Sequence, residues 1–167
     1  METRRHSGRA GSRGGRRSKG VGVVPGETIA IASDHGGVEL KAILSGELEA
    51  LGYSVLDLGT DGPDAVDYPD FAEALTRAMG DGRATRGVLI CGSGIGMSIA
   101  ANRYREIRAA LVHDNLSARL ARQHNDANVL VMGGRFIGAE VAKDCLRAFL
   151  ETEFEGGRHD RRVEKLS

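Results

Sequence analysis

The chain has 167 residues, with 23 Lys+Arg balanced by 23 Asp+Glu, a length that suits one domain with a sizeable core. The zero net charge is a sum of unlike parts: residues 1–24 carry Lys19 and six Arg against Glu2, for +6, and the remaining 143 residues carry −6. An acidic body argues against a nucleic-acid binder, no run of 18 apolar residues offers a transmembrane helix, and two distant cysteines exclude a disulfide framework.

Residues 1–26 are rich in Gly, Arg and Ser and nearly free of large apolar groups. They bury too little surface to offset the entropy of ordering, so they read as a disordered basic tail ahead of one domain, 27–167. The tail lacks the apolar segment of a secretory signal, so the expected location is the cytoplasm. TIAIAS (28–33) then reads as a first buried strand. Leu40, Ile43, Leu44, Leu48 and Leu51 form an apolar stripe along a helix. YSVLDL (53–58) is the second strand. Asp67 before Tyr68-Pro69 reads as an N-cap with Pro in the first turn, and Phe71, Leu75, Ala78 and Met79 supply that helix's stripe. GVLICG (87–92) is the third strand, and a short helix follows the glycines at 94 and 96. RAALV (108–112) is the fourth strand, after which Asp114 caps a helix carrying Leu116 and Leu120. NVLVMG (128–133) is the fifth. Ile137, Val141, Cys145 and Phe149 mark a long final helix, which puts Cys145 in the core. Glu155-Gly156-Gly157 breaks it, and another helix begins.

Five apolar strands alternating with helices predict an α/β fold with a five-stranded parallel sheet covered on both faces, a Rossmann-like (flavodoxin-like) three-layer sandwich. Ligands in such folds bind beyond the carboxyl ends of the strands, so the residues that follow each strand are the candidates. They are Ser33-Asp34-His35-Gly36-Gly37, Cys91-Gly92-Ser93-Gly94-Ile95-Gly96, His113-Asp114 and Gly133-Gly134-Arg135. The first turn lacks G-x-G-x-x-G, which argues against a dinucleotide. The loop after the third strand presents alternate glycines leading into a helix, where backbone N–H groups converge on an oxyanion. Cys91 at the mouth of that loop is a proton-transfer base or a small buried hydrophobe. Asp34-His35 is a catalytic pair or a cap beside a solvated imidazole. His124-Asn125-Asp126-Ala127-Asn128 holds more polar groups than a turn requires. Arg158 and Arg162, four apart, share a helix face and suit one phosphate. No His/Asp/Glu set has the spacing of a metal motif, so no metal and no cofactor are expected.

Together, SDHGG (33–37), GT…DYP (59–69), CGSGIGMSIAAN (91–102), IRAALVHD (107–114), HNDANVLVMGGR (124–135) and EGGRHDRRV (155–163) closely resemble the B-type ribose-5-phosphate isomerase family. The resemblance spans residues 28 to about 165. It implies a metal-independent aldose–ketose isomerase that interconverts ribose 5-phosphate and ribulose 5-phosphate through an enediolate. It also implies roles: Cys91 as the base between C1 and C2, with the Ser93 hydroxyl assisting; Gly92, Gly94, Ile95 and Gly96 as the loop on the enediolate oxygen. Asp34 and His35 contact the sugar, His124 opens the ring with Asn125 beside it, Tyr68 walls the pocket, and Arg135, Arg158 and Arg162 bind phosphate. One branch of the family uses a Glu within the following helix; Met97 holds that place here. Because His124 precedes the fifth strand and Cys91 ends the third, a shared site requires a homodimer, alone or paired into a dimer of dimers. The alternatives are an isomerase of allose or galactose 6-phosphate, or a non-catalytic phosphosugar-binding module.

Overall fold

In the computed structural model, which describes residues 26–166, five strands pair in parallel in the order β2-β1-β3-β5-β4. They are β1 (Thr28–Ser33), β2 (Ser54–Asp57), β3 (Arg86–Cys91), β4 (Ala109–Leu111) and β5 (Val129–Gly133). The connecting helices are α1 (Val38–Ala50), α2 (Tyr68–Gly80), α3 (Ile95–Ala101), α4 (Asn115–Asn125) and α5 (Ala139–Glu151), with α6 (Asp160–Glu164) beyond. Each expected strand is present within about a residue at either end. The tail reading of residues 1–25 lies outside the described residues.

Alternation along the strands assigns the two faces of the sheet. Ile29, Ile31, Val88, Ile90, Leu130 and Met132 meet Leu44 and Leu48 of α1, Ala118 and Ala121 of α4, and Leu146 and Phe149 of α5. Ala30, Ala32, Leu89, Cys91, Val129 and Val131 face Ala72 and Leu75 of α2 and Met97 and Ala101 of α3. This is the expected three-layer sandwich. Among the described residues no helix is long and apolar enough to cross a membrane.

Two expected stripes are displaced. α4 buries Ala118 and Ala121, whereas Leu116 is 54% exposed, because Asp114 accepts from Ser117 N–H at 2.8 Å and sets a rotation that turns Leu116 outward. α5 begins only at Ala139, after Ile137, and leaves Val141 exposed, while Cys145 and Phe149 are fully buried. Burial pushes the Cys145 thiol up to about 11, as befits a core thiol.

The sequence reading passed over Lys41, which lies buried on the stripe of α1. Its ammonium donates to Asp57 Oδ1 at 2.6 Å and Asp61 Oδ1 at 2.9 Å. Burial alone would lower its pKa, but hydrogen bonds to the two carboxylates outweigh burial and raise it. The pair ties α1 to the segment after β2. There Ser33 N–H donates to Gly59 C=O and Thr60 N–H to Ser33 C=O, both at 2.7 Å, which anchors the residue preceding Asp34.

Candidate functional site

The winding of the sheet reverses between β1 and β3, with β2 on one side and the later strands on the other, and the crevice beyond their carboxyl ends is where such a sheet takes ligands. The segments after β1, β3 and β5 meet there. Asp34 N–H donates to Ile90 C=O at 3.2 Å, Gly134 N–H to Cys91 C=O at 2.8 Å and Arg135 N–H to Gly92 C=O at 3.0 Å. Their glycines let backbone touch backbone: a Cβ on Gly134 would lie 2.7 Å from Gly36 oxygen, and one on Gly133 would lie 2.6 Å from Ser93 oxygen.

Cys91 sits in this floor, 4% exposed, and its Sγ accepts from Gly94 N–H at 3.1 Å. Gly94 can aim that amide because it adopts φ +78°, a left-handed conformation that suits glycine. Ser93 Oγ accepts from Ile95 N–H at 3.2 Å, which leaves its hydroxyl hydrogen free to donate. Two of the four loop residues expected to hold an oxyanion, Gly94 and Ile95, thus already spend their amides on the sulfur and the hydroxyl. Asp34 is buried, and its Oδ1 accepts from Gly36 N–H at 2.9 Å, capping the turn His35–Gly37. His35 Nδ1 accepts from Val66 N–H at 3.2 Å, so the neutral ring carries its hydrogen on Nε2. Tyr68 lies over Gly96, whose Cβ would come within 2.5 Å of the phenol carbon. The Arg135 side chain passes over Gly92, with Cδ, Nε and Cζ each 3.5 Å from a Cβ there. Cys91, Ser93, Asp34, His35, Tyr68 and Arg135 are therefore brought together. His113 follows the edge strand β4 and stacks on Phe136, with ring centroids 6.3 Å apart.

His124 and Asn125 end α4 at the opposite edge of the sheet, where Asn128 C=O accepts from Gly87 N–H at the start of β3. β3 has six residues, so about 17 Å of strand separates the two ends. The polar run 124–128 is partly architectural. Asp126 accepts from Arg108 at 3.0 Å and Arg122 at 2.9 Å, and Asn128 spans Arg108 N–H and Glu106 C=O. His124 and Asn125 are the members left over. Glu155 N–H donates to Gln123 C=O at 3.1 Å and folds the C-terminal segment onto this end. His159, buried at 4% exposure, stacks on His124 with centroids 4.4 Å apart and planes 12° from parallel. Arg158 Nε donates to His159 Nε2 at 3.3 Å. Burial, followed by His124, Arg158 and Arg162, lowers the His159 pKa against the opposing pull of Glu155. Within one chain Arg135 therefore stands at one pole and Arg158 and Arg162 belong to the other. His159 was missed by sequence reasoning, although the i, i+4 spacing of Glu155 and His159 was visible.

The domain thus carries unlike sets of groups at the two ends of one parallel sheet, a thiol on a glycine floor at the switch point and a histidine–arginine cluster at the far pole. The chain belongs to the Ribose/Galactose Isomerase family, whose model matches residues 29–166. It is 44% identical to ribose-5-phosphate isomerase B of Escherichia coli, over 83% of this chain and 93% of that one. It is also 44% identical to D-erythrulose-4-phosphate isomerase of Pectobacterium atrosepticum, over 83% and 92%. The solved ribose 5-phosphate isomerase of Thermotoga maritima superposes with a TM-score of 0.82 at 51% identity, covering 84% of this chain and 97% of that one.

Proposed function

We propose that this chain is a cytoplasmic ribose-5-phosphate isomerase that interconverts ribose 5-phosphate and ribulose 5-phosphate without a cofactor. The observation that carries the reading is Cys91 Sγ in the switch-point floor, addressed by the Gly94 amide at 3.1 Å. The sulfur takes the proton from C2 of the open aldose. The C2–H electron pair becomes the C1=C2 double bond, and the carbonyl oxygen becomes an oxyanion. Return of the proton to C1 takes the C1=C2 electron pair into the new C1–H bond, the O2 hydroxyl proton passes to the O1 oxyanion, and O2 becomes the carbonyl oxygen of the ketose. One carbon is oxidised as its neighbour is reduced, so no external redox partner enters the balance. The Ser93 hydroxyl and the Gly92 and Gly96 amides face the developing oxyanion. Donors preorganised in this way stabilise the transition state more than the ground state. Asp34 and the Nε2–H of His35 orient the sugar hydroxyls, and Tyr68 closes the apolar side.

The poles lie too far apart for His124 to open the ring of a sugar bound at Cys91 of the same chain. A homodimer supplies His124, Asn125, Arg158 and Arg162 of one subunit to the Cys91 and Arg135 end of the other. Ile95 and Ile99, 51% and 62% exposed and four apart on α3, form an apolar face beside the glycine loop that suits this contact. An isologous pairing of this kind completes two sites at once.

The test is isomerisation of ribose 5-phosphate by the purified chain in the presence of EDTA, with C2-proton exchange followed in deuterated water. Turnover with exchange supports the reading; binding without exchange would make the chain a phosphosugar-binding module. D-erythrulose 4-phosphate and allose 6-phosphate run alongside, and a higher kcat/KM on either would reassign the substrate.

A further inference from the structure

The densest group of metal-ligating side chains among the described residues is far from Cys91 of the same chain. His124, Glu155 and His159 each offer a donor atom, and the three atoms lie within 4.8 Å of one another. Glu155 Oε2 is 3.7 Å from His159 Nε2, and the two imidazoles are stacked, so the less buried His124 ring turns out of the stack for both lone pairs to meet one ion. The hydrogen bond from Arg158 Nε makes His159 Nε2 an acceptor, so this nitrogen carries the lone pair a metal needs, engaged here by the guanidinium. In a tetrahedral site with bonds of 2.0–2.1 Å, ligand atoms sit about 3.3 Å apart. Side-chain rotations of about 1.5 Å close the difference, and the Glu155 side chain, 49% exposed, is free to make one. Two imidazoles with one carboxylate and a solvent-facing fourth position suit Zn²⁺, Cu²⁺ or Ni²⁺, whereas Mg²⁺ and Ca²⁺ favour oxygen donors.

We propose that His124, Glu155 and His159 form a binding site for a borderline divalent transition-metal ion such as Zn²⁺. The ion displaces the Arg158 guanidinium from His159 Nε2 and takes the lone pair in its place. Binding requires nothing of the isomerase chemistry. Its consequence does rest on the function proposed above: an ion ligated by His124 withdraws that ring from sugar opening, so the metal is a reversible inhibitor and EDTA relieves it.

The experiment is calorimetric titration of the full chain with Zn²⁺, repeated with Co²⁺ while the visible bands of four-coordinate cobalt are recorded. The expected result is one ion per chain. Glu155→Gln changes an exposed side chain and keeps the fold; it and His159→Gln should each weaken binding at least about tenfold. Cys91→Ser should leave binding intact. Arg158→Ala, which removes the competing donor and a positive charge, should tighten it. Unchanged affinity in both Glu155→Gln and His159→Gln, or loss of the ion in Cys91→Ser, would place the metal elsewhere and overturn the site. Because binding is read without turnover, an inactive enzyme that still binds Zn²⁺ through these residues upholds the site and fails only the isomerase reading. Binding with undiminished isomerisation at saturating Zn²⁺ overturns the inhibitory consequence.

Discussion

Gly94 joins the fold to the chemistry, and replacing it by alanine perturbs both by amounts that can be worked out. Its φ of +78° costs an L residue about 1–2 kcal/mol. The added Cβ would lie 2.5 Å from Leu111 Cδ1 and 2.9 Å from the Met132 carbonyl carbon. Leu111 can rotate, but Met132 is backbone in the middle of the buried β5, so overpacking adds about 1–3 kcal/mol. Gly94→Ala should therefore lose about 2–5 kcal/mol, or about 6–15 °C in Tm for a domain of this size. The strain must also move the Gly94 amide, now 3.1 Å from Cys91 Sγ, and a misplacement near 1 Å costs roughly 10²-fold in rate. Gly46→Ala is the control of opposite sign: it lies inside α1 with nothing within 4 Å of a Cβ, so alanine should stabilise by about 0.5–1 kcal/mol. Thermal melts and kcat are measured on both variants. A Gly94→Ala protein with Tm within 2 °C (about 0.7 kcal/mol) of wild type and unchanged kcat would refute the reasoning.

Cys91→Ala should abolish nearly all turnover while ribose 5-phosphate still binds by calorimetry; near-normal kcat would return Cys91 to the core. Mixing Cys91→Ala with His124→Ala chains should restore activity after subunit exchange, and no recovery in proven heterodimers sinks the shared site. Arg158→Ala should chiefly raise KM, by about 10–100-fold for a lost charged hydrogen bond; an unchanged KM makes it solvated surface. Glu27 accepts from Arg86 at 2.9 and 2.7 Å and from Thr85 at 2.6 Å. Burial raises the Glu27 pKa, but those bonds outweigh it and the net shift is downward. A depressed carboxylate contributes stability above its unfolded pKa, about 4.3, and loses that contribution as pH falls through the folded value. Urea midpoints of wild type and Glu27→Gln should thus differ near pH 7 and draw together as pH falls below about 4.3, and a gap independent of pH would dismiss the pair.

The strands were legible because a parallel sheet buried on both faces demands continuous apolar runs, and TIAIAS or NVLVMG can do little else. Strand order was not legible, since periodicity says which residues are buried but not which strands are neighbours. That order decides the site. β5 beside β3 carries Arg135 over Gly92, while β4 stands at the edge. The polarity of Cys91 and His124 along the sheet followed from chain direction alone. Lys41 escaped because a lysine on a helix stripe looks like surface, and only the fold reveals Asp57 and Asp61 opposite it. Leu116 misled because it is apolar yet 54% exposed, turned out by the cap at Asp114.

The floor beneath Cys91 is made of backbone pressed on backbone, Gly36 on Gly134 and Gly133 on Ser93. Such a floor has no side chains to trade, so evolutionary change of substrate is confined to what projects above it, His35, Tyr68 and Arg135. Drift in sugar length then requires only rim substitutions and leaves the proton-transfer geometry untouched. Relatives named for four-carbon and five-carbon substrates at the same 44% identity are what a fixed hearth with an interchangeable rim would produce.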